Sequence, residues 1–118
     1  MKSISLSDAF LMFAKWRDEK PRMRFCLRKK DSPFVGSPAS IISTSESEER
    51  IDVEIILNGQ NQKCGLNFRG ASFSYGEPAD SALFPEFAER VWASYLSVDC
   101  PSGTQFMFAE RPEGWKGE

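Results

Sequence analysis

Two periods of hydrophobicity divide the chain. Over residues 6–19 apolar positions recur at helical spacing: Leu6, Phe10 and Phe13 share a stripe with Arg17, flanked by Ala9 and Trp16. Ser5 stands where an N-cap belongs, and Asp8 places an acid in the first turn. Lys20-Pro21 ends the run, because a proline disfavours the α conformation in the residue before it. From Met23 the period drops to two: Met23, Phe25 and Leu27 alternate with Arg24, Cys26 and Arg28, as in a strand with one wet face. Residues 29–33 read as a turn and Phe34 to Ser43 as a second strand, with Gly36 and Pro38 marking a bend, a bulge or an edge. Ser43 through Arg50 is polar and acidic and reads as an exposed loop.

The clearest strand follows, with Ile51, Val53, Ile55 and Leu57 alternating with Asp52 and Glu54. Asn58-Gly59 then signals a hairpin, since both positions tolerate the positive φ of a type I′ turn. Its return strand carries Cys64, Leu66 and Phe68 on one face. After Arg69-Gly70 the inward set shifts by one to Ala71, Phe73 and Tyr75, so Gly70 predicts a kink between two short strands. Residues 76–81 read as a loop. Beyond it Trp92, Leu96, Val98 and Cys100 share one parity, Pro101-Ser102-Gly103 makes a turn, and Phe106 and Phe108 return. That is a β-hairpin; a helix over Phe84–Leu96, with Phe87, Val91 and Tyr95 spaced by four, is the competing reading. Residues 111–118 read as a frayed tail.

The expected fold is α+β, mainly β, in one domain over residues 1–118. A helix at 6–19 precedes a five-stranded antiparallel small barrel or roll at 23–75, and a C-terminal extension at 84–110 forms the β-hairpin. Phe10, Phe13, Phe25, Leu27, Val53, Ile55, Leu66 and Phe73 are the expected core, each on the apolar side of its element.

Composition narrows the chemistry. The chain has no histidine, which excludes Ser-His-Asp and Cys-His catalysis and His-ligated metals within it. Its three cysteines, Cys26, Cys64 and Cys100, form no C-x-x-C pair and read as plain thiols, not a disulfide framework or zinc site. Acidic pairs such as Glu48-Glu49 and Asp52/Glu54 sit in a loop or on a wet strand face rather than in a shared cleft. A phosphate-binding Gly-x-x-x-x-Gly-Lys does not occur. The expectation is a protein that is not an enzyme and holds no metal or cofactor. No apolar run approaches the roughly 20 residues of a membrane helix, and the first residues do not resemble a signal peptide, so the expected location is the cytoplasm.

The net charge of −2 conceals an asymmetry: residues 1–30 hold nine Lys/Arg against three acids, a balance of +6, and the remainder carries −8. Such a split suits an acidic partner, oppositely charged faces of neighbouring subunits, or a surface on which the charges simply intermix.

One helix followed by five short strands, with a glycine-marked kink between the fourth and fifth, resembles the Sm-like (Sm/LSm) small barrels. The stretch Asp8-Ala9-Phe10-Leu11, then Lys15, Arg17 and Lys20, is similar to the Asp-x-Phe-Leu helix and basic cluster of that family's bacterial RNA-chaperone branch. Phe68-Arg69-Gly70 falls where that branch has an aromatic followed by Lys-His, so the positive charge is kept and the imidazole is not. Ser7 replaces the amide seen before the Asp, and residues 76–118 have no counterpart there. The resemblance implies a barrel, a ring, and contacts to single-stranded RNA from Lys15, Arg17, Lys20 and Arg69.

Two functions follow. A small barrel exposes strand edges that pair with a neighbour, which makes a protein-interaction or self-association module the first expectation. A divergent single-stranded RNA binder is the alternative: Arg24, Arg28, Lys29 and Lys30 extend the basic path, and Trp16 and Phe68 supply stacking faces. A sequence pI of about 5.3 weighs against it, and so does the ordinary place of an aromatic such as Trp16 in the core beside Phe13.

Overall fold

The structure is a computed structural model and describes residues 2–29, 35–47, 49–57, 62–76 and 93–111. The elements in chain order are β1 (Lys2–Ile4), α1 (Leu6–Glu19), β2 (Met23–Arg28), β3 (Val35–Ser47), β4 (Arg50–Leu57), β5 (Gln62–Arg69), β6 (Ser72–Gly76), β7 (Ser94–Asp99) and β8 (Gln105–Glu110). The strands form one antiparallel sheet in the order β1-β6-β7-β8-β2-β3-β4-β5. No helix among the described residues is long and apolar enough to cross a membrane.

The helix begins as its sequence dictates. The Ser5 hydroxyl accepts the Asp8 N–H at 3.1 Å, satisfying a donor that the first turn leaves over. It ends at Lys20, held left-handed at φ 51, ψ 52, with its N–H donating to the Trp16 carbonyl. A side chain in that conformation costs about 1 kcal/mol relative to glycine. Lys20→Gly should therefore raise stability by about 0.5–1 kcal/mol. A denaturant midpoint below that of the parent would show that the cap is not strained.

Ala9, Phe13 and Trp16 are the buried residues of α1, so the inward stripe is rotated from the Leu6-Phe10-Phe13-Arg17 line that the sequence suggested. Leu6 and Phe10 lie at its margin, partly buried. The helix lies on the face formed by Met23, Ile41, Ile51, Val53, Ile55, Phe68, Phe73, Leu96, Val98 and Phe108, all buried. Trp16 Nε1 donates to Glu110 Oε1 at 3.2 Å, tying the helix to β8. Of the expected core, Phe13, Val53, Ile55 and Phe73 are buried. Phe10, Phe25, Leu27 and Leu66, expected in the core as well, are only half-buried.

The sheet departs from a five-strand barrel. The expected fifth strand, β6, does not return to β2; β8 occupies that place, with Met23 opposite Glu110 and Leu27 opposite Phe106. The C-terminal hairpin is thus spliced into the sheet rather than appended to it, and β1 adds an eighth strand beside β6. The hairpin itself is as expected, turning at Pro101-Ser102-Gly103 with Leu96, Val98, Phe106 and Phe108 toward the helix; residues 84–92, where the helical alternative lay, are outside the described residues. Residues 43–47, expected in a loop, continue β3 against β4, and the break in register falls between Ile41 and Ser43 instead of at Gly36 or Pro38. A bulge there bends the strand. The Asn58-Gly59 turn is outside the described residues, although the strands flanking it pair from Leu57↔Gln62 to Arg50↔Arg69.

Gly70 is the kink, at φ +69. Together with Ala71 it carries the chain from β5, the last strand on one side of the sheet, to β6, next to last on the other. Two residues reach only about 10 Å, so the two borders lie close and the sheet is strongly curled. Phe68 on β5 accordingly meets Phe106 on β8 at 5.1 Å between ring centroids, although three strands separate them along the ladder. The roll is not closed, since no ladder joins β5 to β6 or to β1.

A candidate interaction edge

The four residues that the sequence singled out do not gather into one path. Lys15 and Arg17 sit two positions apart on α1, which places them about 160° apart around the axis. Each also has an acidic neighbour: Lys15 Nζ lies 3.9 Å from Glu19, and Arg17 Nε donates to Asp18 at 2.9 Å. That hydrogen bond, with the charge behind it, holds the Asp18 carboxyl below the usual range and the guanidinium above it. Lys20 is exposed at the helix end. The two aromatics considered for base stacking are core: Trp16 is 1% exposed and Phe68 1%. Trp16 packs edge-on to Phe13 and Phe68 lies between Phe13 and Phe106, so neither offers a free face.

Arg69 has a different setting. It closes β5, which pairs with β4 on one side and with no strand on the other among the described residues. By strand alternation Cys64, Leu66 and Phe68 point to the helix side, and Lys63, Gly65, Asn67 and Arg69 to the outer face. All four outer residues are exposed. Neither Lys63 nor Arg69 has an acidic partner among the described residues. Arg69 stands directly across from Arg50, and that like-charge pair is relieved because Arg50 Nε lies 3.0 Å from Asp52 Oδ2. The contact is an ion pair without the alignment of a hydrogen bond. Asp52 is steadied from the other side by Asn67 Nδ2, which donates to Oδ1 at 2.9 Å.

Behind this border lies a shallow concavity of about 340 Å³. Three rows of the ladder line it: Ser43, Glu54 and Gly65; then Thr44, Val53 and Leu66; then Ser45, Asp52 and Asn67. The middle row points its side chains the other way, so on this face it contributes backbone and forms the floor. Gly65 leaves the wall open toward the sheet border, since a Cβ built there meets nothing within 4 Å. Glu54 is exposed and has no hydrogen-bond or ion-pair partner among the described residues.

The other reactive groups do not converge here. No three His, Cys, Asp or Glu among the described residues come together as a metal site. All three cysteines are free; Cys26 is buried, and burial together with the Asp99 charge pushes the Cys100 thiol up. Of the edge, sequence reasoning found Arg69 by its charge. It missed Lys63, Gly65 and Glu54, whose proximity depends on register alone; the one available signal was a glycine inside an otherwise regular strand. Comparison with protein-family models, with curated proteins and with solved structures finds no match.

Proposed function

We propose that this protein is a non-enzymatic interaction module that binds an extended segment of another protein along β5. The observation that carries this reading is the open border itself. β5 runs for eight residues without a proline, its outer side chains are exposed, and no strand covers it among the described residues. A border of that length presents a row of unpaired backbone donors and acceptors, the surface on which a peptide adds as a new strand. The Sm-like resemblance points the same way, since assembly through strand edges is what a small rolled sheet offers. RNA binding is the weaker reading, because two of its four cations are ion-paired on different sides of α1 and its stacking aromatics are buried.

Panning the purified protein against a displayed library of random peptides tests the reading. Recovered peptides should slow hydrogen exchange of β5 amides, and Lys63→Glu with Arg69→Glu should alter which peptides are recovered. Protection confined to another element would overturn it. So would a shift of labelled single-stranded oligonucleotides at about 50 mM salt, where phosphate contacts are strongest, in the absence of peptide binders.

A further inference from the structure

The border has a charge pattern that specifies its occupant, and the inference rests on the edge reading above. On the outer face β5 offers Lys63, Gly65, Asn67 and Arg69 in sequence, two cations and no acid. A second copy of this chain would meet it badly. Among the described residues its own free borders are β5 again and β1, whose three residues are Lys2, Ser3 and Ile4, so neither brings an acid to Lys63 or Arg69. Like charges set opposite each other across strands are destabilising. Charge complementarity therefore selects a different protein, with acidic residues facing Lys63 and Arg69.

The middle of the border asks for the opposite sign. A residue paired with Gly65 on an added strand stands two strand spacings, about 10 Å, from Glu54. In an ordinary sheet the intervening side chain would block the way. Here the blocking position is Gly65, over which the space is open, and Glu54 lies directly beyond it with no partner of its own. A lysine or arginine has an aliphatic stem long enough to cross that gap and bring its charge to the carboxylate. The concavity floored by the Thr44, Val53 and Leu66 backbone receives it, with the Ser43 hydroxyl in the same row as Glu54.

We infer that β5 selects an antiparallel segment of a partner protein whose outward residues read acidic, polar, basic, acidic, the basic one passing over Gly65 to Glu54. The antiparallel sense follows the rest of the sheet, in which every pairing is antiparallel. Only sign and spacing are specified, since the inward positions of such a segment meet half-buried Cys64 and Leu66 and accept any β-forming apolar residue.

The test uses two labelled peptides with the full chain: Glu-Val-Thr-Val-Lys-Val-Glu, and the same peptide with glutamate at the fifth position. The lysine peptide should bind more tightly by about fivefold, the scale of an exposed ion pair gained against a repulsion. Glu54→Lys should reverse the order, and Gly65→Val should weaken the lysine peptide toward the level of the glutamate one. Melting curves show whether each variant remains folded. If both peptides protect β5 from exchange yet bind equally, and Glu54→Lys leaves that equality unchanged, the charge selection is wrong and the edge reading stands. If neither peptide binds while β5 is protected on self-association at rising protein concentration, the occupant is a second copy and the inference fails. Protection away from β5 ends both.

Discussion

Phe13→Ala should destabilise the protein by about 3–5 kcal/mol, the range for emptying a buried aromatic site. Phe13 is fully buried where the helix meets the curled sheet. Its ring lies 5.0 Å from Phe108, 5.9 Å from Trp16 and 6.0 Å from Phe68, so it touches β8, its own helix and β5 together. Those elements come from distant parts of the chain, and no single neighbour can shift to refill the space. Chemical denaturation of parent and variant gives the number. Phe25→Ala serves as the comparison: Phe25 stacks on Phe106 at 5.9 Å but is half-buried, so its loss should cost clearly less. Equal losses for the two would show that the centre of the core lies elsewhere.

Gly76→Ala should cost about 1–3 kcal/mol, although it adds one methyl group. Gly76 pairs directly with Tyr95, and a Cβ at residue 76 would overlap the Tyr95 ring. That ring is wholly buried in a second, smaller cluster with Cys26, Met107 and Ala109, on the sheet face opposite the helix. Gly65→Ala is the matched control, since nothing lies within 4 Å of a Cβ there and the change should be near neutral. Similar melting temperatures for Gly76→Ala and the parent would mean that the Tyr95 ring moves freely.

Alternation identified the side of β2, β4 and β7 that faces the helix, but not the burial of the other side: Cys26, expected on a wet face, is buried there with Tyr95, Met107 and Ala109. Met23 against Arg24 and Ile51 against Asp52 divide as the periodicity indicated, whereas Leu96 and Ser97 are both buried because β7 is covered on both faces. Periodicity describes a strand's faces and is silent about its neighbours. Nothing local in Met23–Arg28 distinguishes a partner at Phe73 from one at Phe108, because both offer an inward aromatic of the right parity. The far half of β3 was hidden for a related reason. Its inward positions there, Thr44 and Glu46, are polar although they stand across from buried Val53 and Ile51, so the alternation fades while the ladder continues. The edge was half legible: Arg69 stood out by charge, whereas the approach of Gly65 to Glu54 exists only once β4 and β5 are in register.

The splicing of the last hairpin into the sheet also bears on how the chain matures. β2 has one neighbour close in sequence, with Met23 opposite Ala39, and one very distant, with Met23 opposite Glu110. As the polypeptide is synthesised, β3, β4 and β5 can pair successively through short connections, which are the fast steps of sheet formation. The far border of β2 cannot be completed until residues 105–110 have been made. Throughout that interval β2 carries Arg24 and Arg28 between its apolar positions, and charges on an unfinished border oppose pairing with a neighbouring nascent chain. The same arginines that read as a wet strand face thus guard the protein before it is whole.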